Sequence, residues 1–214
     1  MFCLGCQPET PLMAEKEIDY FPLEIGRYRI YEVTETQYAV GADPQVLTYT
    51  QKELITGKYT NAKEQDVYQI ERSVVNETGT GVVNQVLNVW KSEQRVVVHE
   101  EGISRVVLEF PVKKDLIWDG NRYNLLGEQA FEITVMETPF STTKETFPLS
   151  LTVIQQNDST LVSLQKSKEV YAASLGLVQK EQKNLRYCST PDCVGKGIIE
   201  SGFTKISTLI SYGK

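Results

Sequence analysis

From Tyr20 onward, apolar and β-branched residues recur at every second position through most of this chain, and a period of two is the signature of a half-buried strand. In Val67–Val75, VYQIERSVV, the side chains of Tyr68, Ile70, Arg72 and Val74 fall on one side. In Val82–Trp90, VVNQVLNVW, one face carries Val83, Gln85, Leu87 and Val89, and the other Val82, Asn84, Val86, Asn88 and Trp90. The runs RVVVHE, SRVVLEFPV, FEITVME, FPLSLTVIQ and STLVSLQ are rich in Val, Ile, Thr and Phe, and LVQKEQKNLRY and FTKISTLISY alternate again near the end. Turn signals separate them: Ala42-Asp43-Pro44, Gly57, Glu77–Gly81, Glu101-Gly102, Trp118–Asn121, Asn157-Asp158 and Gly195–Gly197. Roughly eleven to thirteen strands joined by short turns predict an all-β, antiparallel meander with minor helix, its sheet curved or closed into a barrel-like shape. Helix is expected only as short pieces, around Leu12–Glu17 or Ser141–Glu145.

A length of 214 residues suits one domain, and 41% hydrophobic with 23% charged residues is enough to bury a core. The net charge is −6, and no basic cluster exceeds the adjacent pair Lys113-Lys114, which speaks against a nucleic-acid partner. No stretch reaches the roughly 18 apolar residues of a membrane-spanning helix.

The N-terminus carries a different signal. Leu4-Gly5-Cys6 resembles the end of a bacterial lipoprotein signal, in which a small residue precedes the cysteine that is acylated, although Cys3 stands where Leu is usual. The basic and apolar regions of such a signal do not appear ahead of it, as a start upstream of Met1 or a trimmed sequence would explain. Residues 1–6 are read as the signal remnant with Cys6 as the lipidation site. The polar, Pro-spaced residues 7–19 are read as a tether, and residues 20–214 as a single β-rich domain.

A second cysteine pair, Cys188 and Cys193, brackets Ser-Thr-Pro-Asp, where Pro191-Asp192 is good turn chemistry. In an exported protein this spacing predicts a structural disulfide. A zinc site would need four ligands, and the chain offers only one histidine and two further cysteines, both at the N-terminus. The C-x-x-C spacing of a redox dithiol is absent.

No residue is assigned a catalytic, cofactor-binding or metal role. His99 lacks a second histidine or a suitably placed cysteine. The stretch ETGTGVV lacks the spacing of a phosphate loop and reads as a hairpin turn. The adjacent Glu100 and Glu101 would point to opposite faces of a strand. Asp43 and Asp119 do not belong to a calcium-loop pattern. The aromatics Tyr20, Phe21, Tyr28, Tyr31 and Tyr38 could line a groove, but on strands such residues usually pack in the core.

Three segments, YFPLEIGRYRIYEV, KEVYAASLGLVQKE and GIIESGFTKISTLISYGK, together resemble a group of uncharacterised lipoproteins of Bacteroidota-type bacteria. Where that group has Gly near AAS, this chain has Ala173-Ser174, a departure that bears on the turn. The resemblance implies a cell-envelope location and brings no activity or catalytic residue with it. The expectation is an envelope-anchored lipoprotein, held by its acyl chain at the outer membrane and facing the periplasm or cell surface. Its expected role is non-enzymatic: binding a lipid, glycan or envelope protein, or a structural one. The alternatives are a hydrolase whose acids converge only in the fold, and an accessory subunit of an envelope assembly that offers an edge strand.

Overall fold

The computed structural model describes residues 19–214 apart from Glu77 and Gly79. The expected strand runs become β1 (Tyr28–Tyr38), β2 (Gln45–Thr60), β3 (Asp66–Val75), β4 (Gly81–Lys91), β5 (Arg95–Glu100) and β6 (Ile103–Glu109). They continue as β7 (Ile117–Asp119), β8 (Ala130–Ser141), β9 (Thr146–Ser159), β10 (Ser163–Ala172), β11 (Gly176–Tyr187) and β12 (Ile199–Gly213). All twelve belong to one antiparallel sheet in the order β6-β5-β4-β3-β2-β1-β12-β11-β10-β9-β8-β7. Two meanders, β1–β6 and β7–β12, are therefore joined side by side through the first and last strands, with Tyr28 opposite Gly213.

A sheet of this many strands must twist, and the accumulated twist brings its edges together into a nearly closed barrel. At the seam the Val106 amide donates to the Gly120 carbonyl at 2.9 Å. The Trp118 indole N–H donates to the Val106 carbonyl at 2.8 Å, and Asn124 Nδ2 donates to the Ser104 carbonyl at 2.9 Å. Gly120 is required here for close approach, since a Cβ at this position would come within 2.5 Å of the Phe131 ring.

Period-two patterning sorts the side chains as the sequence predicts on β4, where Leu87 and Val89 are buried and Val82 and Val86 are exposed. The apolar core gathers Tyr20, Phe21, Ile70, Val106, Trp118 and Phe131 with their neighbours. The chain enters it through Asp19, whose carboxylate accepts from the Phe21 amide at 2.8 Å and from Lys91 Nζ at 2.6 Å. Burying the two rings that follow, Tyr20 and Phe21, stabilises the entry by about 1.5–3 kcal/mol for each fully buried side chain.

Several local expectations are corrected. Ser141–Glu145 forms no helix. Ser141 ends β8, and Thr142 and Glu145 close a hairpin through a 2.9 Å backbone bond. Gly57 is no turn but sits in β2 at a break in register, and Asn157-Asp158 continue β9. Conversely, STLVSLQ is not one strand: Thr160–Val162 form the β9–β10 turn. The Leu12–Glu17 expectation, Cys6 and residues 7–18 of the tether lie outside the described residues.

Candidate functional site: the charged interior of the barrel

Neighbouring strands in register place cross-strand partners side by side on one face. Across β1, β2, β3 and β4 this rule aligns Arg29, Glu53, Arg72 and Gln85 in one continuous row. The side chains point into the barrel, and each touches the next. Arg29 Nη2 lies 3.3 Å from Glu53 Oε2, and Arg72 Nη2 lies 2.8 Å from Glu53 Oε1. The Arg72 guanidinium also donates to Gln85 and to Glu100 on β5. On the other side of the barrel, Glu169 of β10 and Lys180 of β11 are cross-strand partners with a 2.9 Å ion pair, and the Tyr171 hydroxyl donates to Glu169. Three cations thus face three carboxylates, and Arg29, Glu53 and Glu169 are no more than 6% exposed.

The pairing decides the protonation states. Burial pushes the Glu53 carboxyl up, but Arg72 and Arg29 outweigh it and hold the group below the usual carboxylate range. Glu100 is likewise raised by burial and brought down further by Arg72 and by Lys180 across the lumen. For Lys180, burial lowers the ammonium, whereas Glu169 and Glu100 carry it above its ordinary value. Burial drives the phenols of Tyr31 and Tyr171 upward, so both stay protonated donors, Tyr31 to the Leu177 carbonyl at 3.0 Å.

Arg29 is held by shape as well as charge. Gly176 opens β11 at φ +98°, and a Cβ there would sit 2.5 Å from Arg29 Nη1. The guanidinium lies over the Phe21 ring at 5.9 Å from its centroid. The turn before Gly176 is fixed from outside, where Arg27 Nη1 donates to the Ser174 carbonyl at 2.9 Å and the Ser174 amide donates to the Asp19 carbonyl at 2.7 Å. Two of the segments quoted above, YFPLEIGRYRIYEV and KEVYAASLGLVQKE, therefore supply Phe21, Arg29, Tyr31, Glu169, Tyr171 and Lys180 to one interior.

Above this network the barrel encloses an open cavity of about 630 Å³. Its wall includes Phe21 and Tyr31 from the early aromatic group, while Tyr20 is core and Tyr28 covers Gly213. Glu100 and Glu101 both reach the cavity, against the expectation of opposite faces. Glu101 is a turn residue at φ +51°, so strand alternation does not apply to it.

His99 lies apart, its Nδ1 2.9 Å from Ser104 Oγ on the neighbouring strand. Asp119 is a structural acceptor for the amides of Asn121 and Gln129, at 2.9 and 3.0 Å. Between β3 and β4, in place of a phosphate loop, the Asn76 amide donates to the Thr80 carbonyl at 2.9 Å. Cys188 and Cys193 are disulfide-bonded with Cα atoms 5.7 Å apart, and they close a loop outside the cavity. Among the described residues no group of three or more His, Cys, Asp or Glu side chains is placed to hold a metal ion. No helix among them is long and apolar enough to cross a membrane.

No protein-family model matches this chain, and no curated protein matches it. Two solved structures are similar. One is described as a "putative lipoprotein" from Parabacteroides distasonis, at TM-score 0.47 and 11% identity over 93% of this chain and 100% of that one. The other is a "putative exported protein with YmcC-like fold" from Bacteroides fragilis, at TM-score 0.48 and 11% identity over 92% and 100%. At such identity and TM-score neither likeness bears on what the chain does.

Proposed function

We propose that this chain is an envelope-anchored lipoprotein whose barrel binds or scaffolds and does not catalyse. The envelope part is supported by Leu4-Gly5-Cys6, by the polar residues that follow, and by the Cys188–Cys193 pair, a bond suited to an oxidising compartment. The observation that carries the non-enzymatic part is the charge pairing of the interior. Two carboxyls that divide acid and base roles between them need environments that drive their pKa values apart, one of them upward. Glu53 and Glu100 are both driven down by shared contact with Arg72, which suits ion pairing and not proton donation.

The edge-strand alternative is disfavoured by β8. Beyond its short pairing with β7, this strand has three register breaks and Pro139, devices that blunt an edge against further strand addition. The test is native mass spectrometry of the full-length gene product extracted from the membranes of its own cells. Acylated Cys6, an intact disulfide and a co-purifying, unaltered ligand are expected. Recovery from the cytosol with free thiols would end the envelope reading.

A further inference from the structure

We infer that the upper half of the barrel interior is a binding site for a neutral, hydroxyl-rich ligand, a short glycan. Such a ligand deepens the binding role proposed above and rests on it. Side chains two residues apart on a strand share a face and lie one pleat apart. Moving one pleat from the charged groups of β2, β10 and β11 leads to a second layer of amides and a hydroxyl, in which Lys205, opposite Gln182 on β12, is the one cation. From Glu53, Lys180 and Glu169 the step reaches Gln51, Gln182 and Ser167, while Gln155 on β9 and Gln129 just ahead of β8 extend the layer from the apolar Val153 and Phe131; all five line the cavity. The strand directions put every step on the same side: β2, β8 and β10 run opposite to β9 and β11, and the offset changes sign with them.

A primary amide both donates and accepts, as a sugar hydroxyl does, so a ring of amides matches a polyol without demanding charge from it. Part of this ring is already engaged: Gln155 Oε1 accepts from Ser167 at 2.9 Å, and Gln129 Nε2 donates to the Gln155 carbonyl at 2.9 Å. Gln51 and Gln182 make no side-chain hydrogen bond among the described residues, and their amides face the cavity uncommitted. The layer beneath offers carboxylates fixed as anions, able to accept from hydroxyls, and Tyr31, opposite Gln51, adds an aromatic ring at the level of the amides.

Charge argues against other occupants. The inner network is balanced three to three, at the mouth Arg105 and Glu101 add one charge of each sign, and the remaining cation of the wall, Lys205, is held by Glu35 at 3.4 Å. An ionic ligand would meet no net counter-charge, and an acyl chain would strip water from charged and amide groups without replacing their hydrogen bonds. A volume of about 630 Å³ lies within the range of small-molecule sites.

The experiment applies the full-length chain to an array of neutral and acidic oligosaccharides. The strongest ligand is then titrated calorimetrically against wild type, Gln51→Ala, Gln182→Ala and the outward-facing Val82→Ala. A neutral oligosaccharide is expected to bind, roughly three- to tenfold more weakly to each Gln variant, with melting temperature unchanged and Val82→Ala behaving as wild type. Retention of acidic glycans only, absence of any retained glycan, or wild-type affinity in both Gln variants would overturn the site. Cleavage of the bound oligosaccharide, with affinity still lost in the Gln variants, would uphold the site while overturning the non-catalytic reading.

Discussion

Arg29 and Glu53 stand directly opposite one another on adjacent strands, 3.3 Å apart and almost wholly out of water. Arg29 is nonetheless only half of what holds the carboxylate, because Arg72 engages the other oxygen at 2.8 Å. Glu53 is therefore the keystone anion between two guanidinium groups. Replacing it with Gln leaves two cations facing each other in the barrel, and breaking a buried pair in this way costs about 3–5 kcal/mol. Urea denaturation of Glu53→Gln at neutral pH measures it, and a loss below 1 kcal/mol, about the worth of an exposed ion pair, would contradict the arrangement.

The same contact sets the acid limb of stability. Glu53 and Glu100 have folded pKa values below the ordinary 4.5, so their stabilising contribution is complete above that value and is lost as pH falls through the depressed ones. Wild type is expected to lose stability steadily on acidification below about pH 4.5, while Glu53→Gln and Glu100→Gln show shallower slopes there. Denaturation midpoints between neutral pH and pH 3 provide the check.

Gly176→Ala combines two penalties: a φ of +98° that L side chains avoid, and a methyl group within 2.5 Å of Arg29 Nη1. A destabilisation of about 1–3 kcal/mol is expected from the backbone strain alone. Because the methyl also pushes on Arg29, the Gly176→Ala and Arg29→Lys effects should be non-additive in a double-mutant cycle.

At the seam, Trp118→Phe keeps the ring packing against Phe131 and removes only the donor to the buried Val106 carbonyl. Leaving that acceptor unpaired costs about 1–3 kcal/mol. Hydrogen exchange should accelerate at the Val106 amide, which bridges to Gly120, more than at amides of β10 and β11.

The Cys188–Cys193 loop is short, with a sequence separation of 5, so chain-entropy arguments give it about 2 kcal/mol. The double Ser variant should lose about that much in thermal or urea melts, with glycan affinity unchanged, since the loop stands outside the cavity.

Most of the strand order was readable because alternation survives single interruptions: VVNQVLNVW and LVQKEQKNLRY emerged as β4 and β11 with little trimming. What sequence could not rank was the charge. Arg29, Glu53 and Arg72 are in phase with Tyr31, Ile55 and Ile70, and that phase was the available signal that they face inward. Charged residues on strands usually mark the wet face, however, and only the register between distant segments reveals that their partners lie opposite. Glycine and Asn-Asp were misleading for a related reason. At Gly57 a bulge is absorbed within a long strand, while Asn157-Asp158 continue β9, which runs to Ser159. Short polar Ser141–Glu145 has helix-compatible composition, but flanking strands that must pair across it impose a hairpin.

The side-by-side placement of β1 and β12 has a bearing on how the molecule comes into being. During synthesis the first meander is complete before β12 exists, and β1 must stand with an unsatisfied flank until that strand arrives. The ion pair of Lys214 with Glu24 lies beside that union. Closing the cylinder thus depends on the pairing of β1 with β12, a long-range event expected to be slow and to leave the cell something to chaperone in the interval.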